Sequence, residues 1–230
     1  MNILDLLFPK KCVGCNKLGA YFCPGCISNI LQAELVCPGC ERPSIGGVTH
    51  PVCRRKFGLD GLWSLGVYSG SLRSAIQKIK YRYIKELAED LVDITLEYWA
   101  KSGTFLLDEI KKNYGKDWVV VPVPLHWTRK NSRGFNQSSL FAKVFADRLG
   151  LDYSEALKRH KMTSSQVGLD SQKRRQNIKN TFSLTMNHEL ITNNTILVDD
   201  VWTTGSTLKE CCYVLKRNGA KKVWSLTLAR

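Results

Sequence analysis

The chain has 230 residues, 43% hydrophobic and 23% charged, enough for one catalytic-size domain with a small appendage and an ordinary buried core. No apolar run reaches the ~20 residues that span a bilayer, and the opening MNILDLLFPKK lacks the basic start and cleavage site of a signal peptide, so a cytoplasmic location is expected. The formal net charge of +14 points to a polyanionic partner, nucleic acid or a phosphate-rich small molecule, unless it is only a solvated basic surface.

The cysteines come first along the chain, seven of the nine standing before residue 54. Cys12 and Cys15, Cys23 and Cys26, and Cys37 and Cys40 are C-x-x-C pairs, and His50 and Cys53 repeat that spacing. Such a loop lets two ligand atoms reach one tetrahedral ion, and two loops close a structural site. Eight ligands predict two zinc sites, one Cys₄ and one Cys₃His; an intracellular chain does not favour the alternative, a disulfide framework. Adjacent pairs are expected to share an ion, with a cross-braced arrangement as the other possibility. Eight protein ligands leave no open position for catalysis, so the metal would be structural and would supply folding energy to a segment too short for its own core.

After Cys53 the composition changes. LDGLWSLGVYSG reads as a strand and turn. SLRSAIQKIKYRYIKELAEDLVDITLEYWAK has apolar residues at helical spacing, with a break near Tyr81 to Lys85 that makes two helices. DEIKKNYGKD is a short helix or loop. WVVVPVPLH is a continuous apolar run of the kind buried on both faces of a parallel sheet. SSLFAKVFADRLGL is helical and ends at Gly150, SQKRRQNIKNTFSL is a basic loop leading into a short strand, and TILVDD is a strand followed by the helix GSTLKECCYVLKRNG. Cys211 and Cys212 in that helix read as buried small hydrophobes, not ligands. KKVWSLTLA is the last strand. Alternating strands and helices describe a doubly wound α/β domain.

In an open parallel sheet, ligands bind at the carboxyl ends of strands, where Asp199 and Asp200 stand. Thr203, Thr204, Gly205, Ser206 and Thr207 then lead into a helix N-terminus, whose outward N–H groups and positive dipole end suit a phosphate dianion. The two carboxylates cannot bind that phosphate; they suit the vicinal hydroxyls of a ribose, or Mg²⁺ through its waters. A ribose 5-phosphate satisfies both halves. A Walker B strand is the competing reading of ILVDD, but the chain holds no G-x-x-x-x-G-K-[ST].

VDDVWTTGST resembles the phosphoribosyl pyrophosphate (PRPP) loop of type I phosphoribosyltransferases. LLFPKKCVGC with its further C-x-x-C pairs, VPVPLHWTRKNSRGFNQSSLFA, QVGLDSQKRRQNIKNTF and ILVDDVWTTGSTL together resemble the ComF family along nearly the whole chain. That resemblance implies a type I phosphoribosyltransferase-like doubly wound parallel sheet at residues 59–230 and a cysteine-rich, double zinc ribbon-like domain at 1–58. His50 departs from it, standing where a cysteine is usual. The resemblance further implies that Asp199 and Asp200 hold the ribose hydroxyls and act in catalysis, with Thr203 to Thr207 on the 5-phosphate. Arg129, Arg133 and the following Gly134 to Gln137 would face the pyrophosphate of PRPP–Mg²⁺, and Lys173, Arg174 and Arg175 would belong to the loop that closes over the site. Displacement of pyrophosphate at C1 would pass through an oxocarbenium-like state, its departing charge stabilised by Mg²⁺ and basic groups.

Three functions follow from these readings. The first is a ComF-type protein that handles single-stranded DNA in uptake and natural transformation, the strand tracked by basic clusters that include Lys78, Lys80, Arg82, Lys173, Arg174 and Arg175. The second is a working phosphoribosyltransferase with an unknown acceptor. The third is a zinc-mediated scaffold that docks a helicase or another uptake component.

Overall fold

Val119, Val120 and Val121 cannot divide themselves between core and solvent. In a computed structural model, which describes residues 9–81, 85–102, 105–112, 117–160, 178–185 and 194–230, they form a strand buried along its whole length, β2 (Trp118–Pro122). It lies inside a five-stranded sheet in the order β1 (Gly61–Gly66), β7 (Val223–Ala229), β6 (Asn194–Val201), β2 and β3 (Asp152–Tyr153). Every pairing in that sheet is parallel, as expected where strands are covered on both faces. The chain steps from β2 outward to β3, then returns to lay β6 on the other side of β2. The order therefore reverses between β2 and β6, and a crevice opens beyond their carboxyl ends.

Each face of the sheet has its own core. Trp63, Val120, Ile196, Val198 and Leu226 pack against α2 (Gly70–Tyr81), α3 (Lys85–Ser102), α4 (Phe105–Lys111) and α6 (Gln137–Leu149). Leu62, Val119, Val121, Leu197 and Val223 pack on the other side against α7 (Ser206–Arg217). Leu208, Cys211, Cys212 and Leu215 recur at helical spacing along α7 and are all buried. Burial pushes the Cys212 thiol up to about 12 and that of Cys211 well above its ordinary value, so both remain neutral small hydrophobes.

The cysteine-rich segment straddles the β1 edge. Its first half, with the short helix α1 (Pro24–Ser28), puts Val13, Phe22 and Ile30 into the first core, while Val36 and Leu59 enter the second. Single antiparallel bridges join Gln32 to Gly66 and Val48 to Gly61. Ser71 Oγ of α2 also donates to the Cys26 carbonyl at 2.9 Å.

α2 ends at Tyr81 and α3 starts at Lys85; the expected break between them falls on residues 82–84, outside the described residues. α4 begins at Phe105, ahead of the DEIKK run. Neither β3 nor the helix α5 (Trp127–Arg133) was anticipated; the short strand expected after the basic loop is β5 (Phe182–Leu184), and β4 (Leu157–Arg159), which pairs with it antiparallel, was not foreseen. Among the described residues, no helix is long and apolar enough to cross a membrane.

Candidate functional site

The crevice beyond β2 and β6 gathers two separate stretches of sequence. From β6 come Asp199 and Asp200, then Trp202 and the loop to α7. Asp199 Oδ1 accepts from the Asp200 N–H at 2.9 Å and from Ser138 Oγ at 2.9 Å. Successive side chains on a strand diverge to opposite faces, and these donors take up part of the charge. The pairing of two acids is thereby eased.

The loop turns at Gly205, which caps α7 with φ 65° and ψ 5°, a left-handed conformation. A Cβ there would lie 2.2 Å from atoms of the Trp202 ring, so glycine is required both for the turn and for the contact. Trp202 is buried, its N–H donates to the Ala229 carbonyl at 2.8 Å, and Lys209 lies over its ring at 5.2 Å. Thr204 and Ser206 share a hydroxyl–hydroxyl hydrogen bond of 2.8 Å, which fixes the hydroxyls at the start of α7. Here the helix leaves its first N–H groups without intrahelical partners. The result is a set of fixed donors beside two carboxylates.

From β2 comes the RGFNQ turn. Asn136 caps α6, its Oδ1 accepting from the Ser138 N–H at 3.2 Å. Its Nδ2 donates to the Val123 carbonyl at 3.0 Å and to Ser139 Oγ at 2.8 Å. One side chain thus ties the end of β2 to the start of α6 and aims Ser138 at Asp199. Gly134 takes φ 78°, and Arg133 donates to the buried Gln137 Oε1 at 3.1 Å. Ser138 escaped the sequence reading, and Asn136, expected only as part of the Gly134 to Gln137 turn, was not read as a cap. The cap was detectable as Asn before a helical run; the contact to Asp199, across 61 residues, was not.

The structure brings Asp199, Asp200 and Thr203 to Thr207 to one sheet end with Arg133. The side chains of Arg129 and Lys80 are outside the described residues, as are Arg82, Lys173, Arg174 and Arg175 entirely. Lys78 is exposed on α2, on the first-core side of the sheet.

Eight ligand residues form two groups of four, Cys12, Cys15, Cys23 and Cys26 in one and Cys37, Cys40, His50 and Cys53 in the other. Adjacent pairs therefore converge, as expected, and His50 stands with its three cysteines. Within each group all ligand atoms lie within 4.8 Å of one another. Tetrahedral zinc with Zn–S bonds of about 2.3 Å sets neighbouring sulfurs about 3.8 Å apart; Cys15 and Cys23 Sγ are 3.6 Å apart, and Cys40 Sγ is 3.4 Å from His50 Nδ1. His50 Nε2 lies 3.1 Å from the Pro43 carbonyl. A proton on Nε2 satisfies that contact and leaves the Nδ1 lone pair for a metal.

The electrostatics agree. Burial disfavours the Cys12 thiolate, but N–H groups of Cys23, Cys15 and Gly14 outweigh it and bring the thiol down to about 6. Burial and three neighbouring thiols push Cys26 the other way, and hydrogen bonding with Cys40, followed by burial, raises Cys53 to about 11. Four thiols sharing a pocket cannot all ionise unless a dication joins them. Both clusters could hold structural zinc.

The fold and crevice are those of a phosphoribosyltransferase-like protein with a cysteine-rich segment. A family model, the phosphoribosyl transferase domain, matches residues 135–230. The chain is 32% identical over 218 residues to the DNA utilization protein YhgH of Salmonella typhimurium, covering 89% of this chain and 88% of that protein. It is 30% identical over 228 residues to competence protein F of Haemophilus influenzae, covering 95% and 90%. Competence protein ComFC of Bacillus subtilis is 29% identical over 206 residues, covering 85% and 78%. The chain belongs to the ComF family, that of competence protein F and DNA utilization protein YhgH.

Proposed function

We propose that this protein handles single-stranded DNA during uptake in the cytoplasm, using a ribose-phosphate-recognising domain (59–230) joined to a zinc-stabilised one (1–58). One observation carries this reading: similarity to proteins named for competence and DNA utilization covers 89% or more of the chain in the first two. It therefore takes in the cysteine segment as well as the transferase-like part. The net charge of +14 supports a polyanionic partner, with Lys78, Lys80, Arg82, Lys173, Arg174 and Arg175 assigned to the strand's phosphates. Fluorescence anisotropy with a labelled single-stranded oligonucleotide at low salt tests it. Binding tighter than to duplex of the same length is expected, and no binding overturns it.

The crevice favours a second reading, a phosphoribosyltransferase that uses PRPP with Mg²⁺. The donor set fits such a ligand: Thr203 to Thr207 and the α7 N-terminus for the 5-phosphate, Asp199 and Asp200 for sugar hydroxyls or metal-bound water, and Arg129 and Arg133 for the pyrophosphate. PRPP would bring a reactive C1 and pyrophosphate as leaving group. The chain's own part is to orient the ribose and fix donors where negative charge gathers. PRPP with Mg²⁺ should raise the melting temperature, and Asp200→Asn should remove the rise. No shift at millimolar ligand sinks this second reading alone. Under the third reading, in which the zinc segment docks a helicase or another uptake protein, a cluster variant would keep DNA binding and lose its partner.

A further inference from the structure

On the second-core side of the sheet, a groove of about 690 Å³ runs between the second cysteine cluster and α7. Lys78, the residue assigned to DNA above whose side chain is described, does not line it, and its volume falls in the range of ligand clefts, about 300–1,000 Å³. Leu59 and Ile178 line it from the buried second core, Cys53 belongs to the metal cluster at one side, and Ser206, from the phosphate cradle, also lines it. The groove thus joins the two features that define the chain.

Its chemistry is aromatic and cationic together. Phe57 and Tyr213 meet edge to face at 5.6 Å, with Phe57 half-buried and Tyr213 38% exposed. Lys56 lies over the Phe57 ring at 5.3 Å and Arg217 over that of Tyr213 at 5.6 Å. Among the described residues, three cations, Arg55, Lys179 and Lys209, line the groove against one acid, Glu210. Glu210 Oε1 accepts the Asn180 N–H at 2.8 Å, and Lys209 lies 3.9 Å from Glu41 outside the lining. Such a surface suits a ligand that carries flat π-faces and regularly spaced negative charge. Bases stack on exposed aromatic rings while flanking cations follow the phosphates. An acidic peptide would use the cations and leave the rings without work.

We propose that this groove seats one or two nucleotides of a single DNA strand, with a base against Tyr213 and Phe57 and the phosphates on Arg55, Lys179 and Lys209. This rests on the DNA-handling reading above and adds where the strand lies. It further implies that the second metal cluster shapes the seat, since Cys53 and Gly39 form part of the wall.

The test uses the full zinc-loaded chain and a labelled single-stranded oligonucleotide. Tyr213→Ala should weaken binding about tenfold, and Arg55→Glu by at least as much while flattening the salt dependence. Lys78→Glu, the same charge change on the opposite face of the sheet, should cost less than Arg55→Glu. A strand carrying a photoreactive thymidine should crosslink to residues 55–59 or 206–213. Wild-type binding that neither Tyr213→Ala nor Arg55→Glu reduces, with crosslinks elsewhere, overturns the groove and leaves the DNA reading intact. Loss on Arg55→Glu but not on Tyr213→Ala, with polyglutamate competing as well as DNA, also overturns it, since the groove is then a cation patch without base contact. Absence of wild-type binding refutes the DNA reading itself.

Discussion

Gly205→Ala tests the geometry of the phosphate cradle, and Gly150→Ala supplies its control. Both glycines cap helices in nearly the same left-handed conformation, φ 65° at Gly205 and φ 64° at Gly150. A non-glycine residue held there costs about 1–2 kcal/mol. At Gly150 a Cβ meets nothing within 4 Å, so that cost is the whole effect. At Gly205 the Cβ meets the Trp202 ring at 2.2 Å, and the ring is buried with Lys209 over it. Forcing such an overlap adds about 1–3 kcal/mol, for a total of about 2–5 kcal/mol. In urea titrations Gly205→Ala should therefore lose clearly more stability than Gly150→Ala, with a melting temperature lower by about 2–4 °C for each kcal/mol. Equal losses for the two variants would refute the close packing of Trp202 beneath the loop.

Asn136→Ala removes a cap and two further donors, and should cost about 2–3 kcal/mol in urea titrations; Asn136→Asp, which keeps the cap acceptor alone, should recover about 1 kcal/mol of it. Metal analysis of the wild type should give two zinc ions per chain, and His50→Ala should lower that to one, because only the second cluster loses a ligand. Hydrogen bonding from Lys222 holds Glu109 below its usual value of 4.5, against the effect of burial. The unfolded chain therefore binds this proton more readily, so the pair's contribution is present above the unfolded value and is lost as pH falls through the folded one. Glu109→Gln should flatten that part of an acid-denaturation profile, lowering stability slightly near neutral pH and leaving it almost unchanged at pH below the folded value.

Some of this architecture was legible in the residues alone. The apolar run through Val119 to Val121 could only be a strand covered on both faces, and α7 announced itself by Leu208, Cys211, Cys212 and Leu215 at helical spacing. The metal clusters were readable for a similar reason, since a two-residue gap between ligands imposes local geometry whatever the surroundings. What resisted reading depends on distant partners. The short strand at β5 was expected, but β4 was not: it is three residues long and is held by the pairing of Leu157 with Leu184 and Arg159 with Phe182. α5 is WTRKNSR, which has no apolar stripe to mark it. The grip of Ser138 on Asp199 and the groove behind α7 arise from segments that meet only after folding. The same holds for the sharing of the cysteine segment between two cores.

Binding of single-stranded DNA across a salt series tests the central claim most directly, with zinc content measured on the same sample. The account predicts tight binding at low salt and a linear fall of log K against log salt, at about 0.7 of a unit for each phosphate neutralised. Tight binding indifferent to salt, or no binding at any salt with both zinc sites filled, would contradict it.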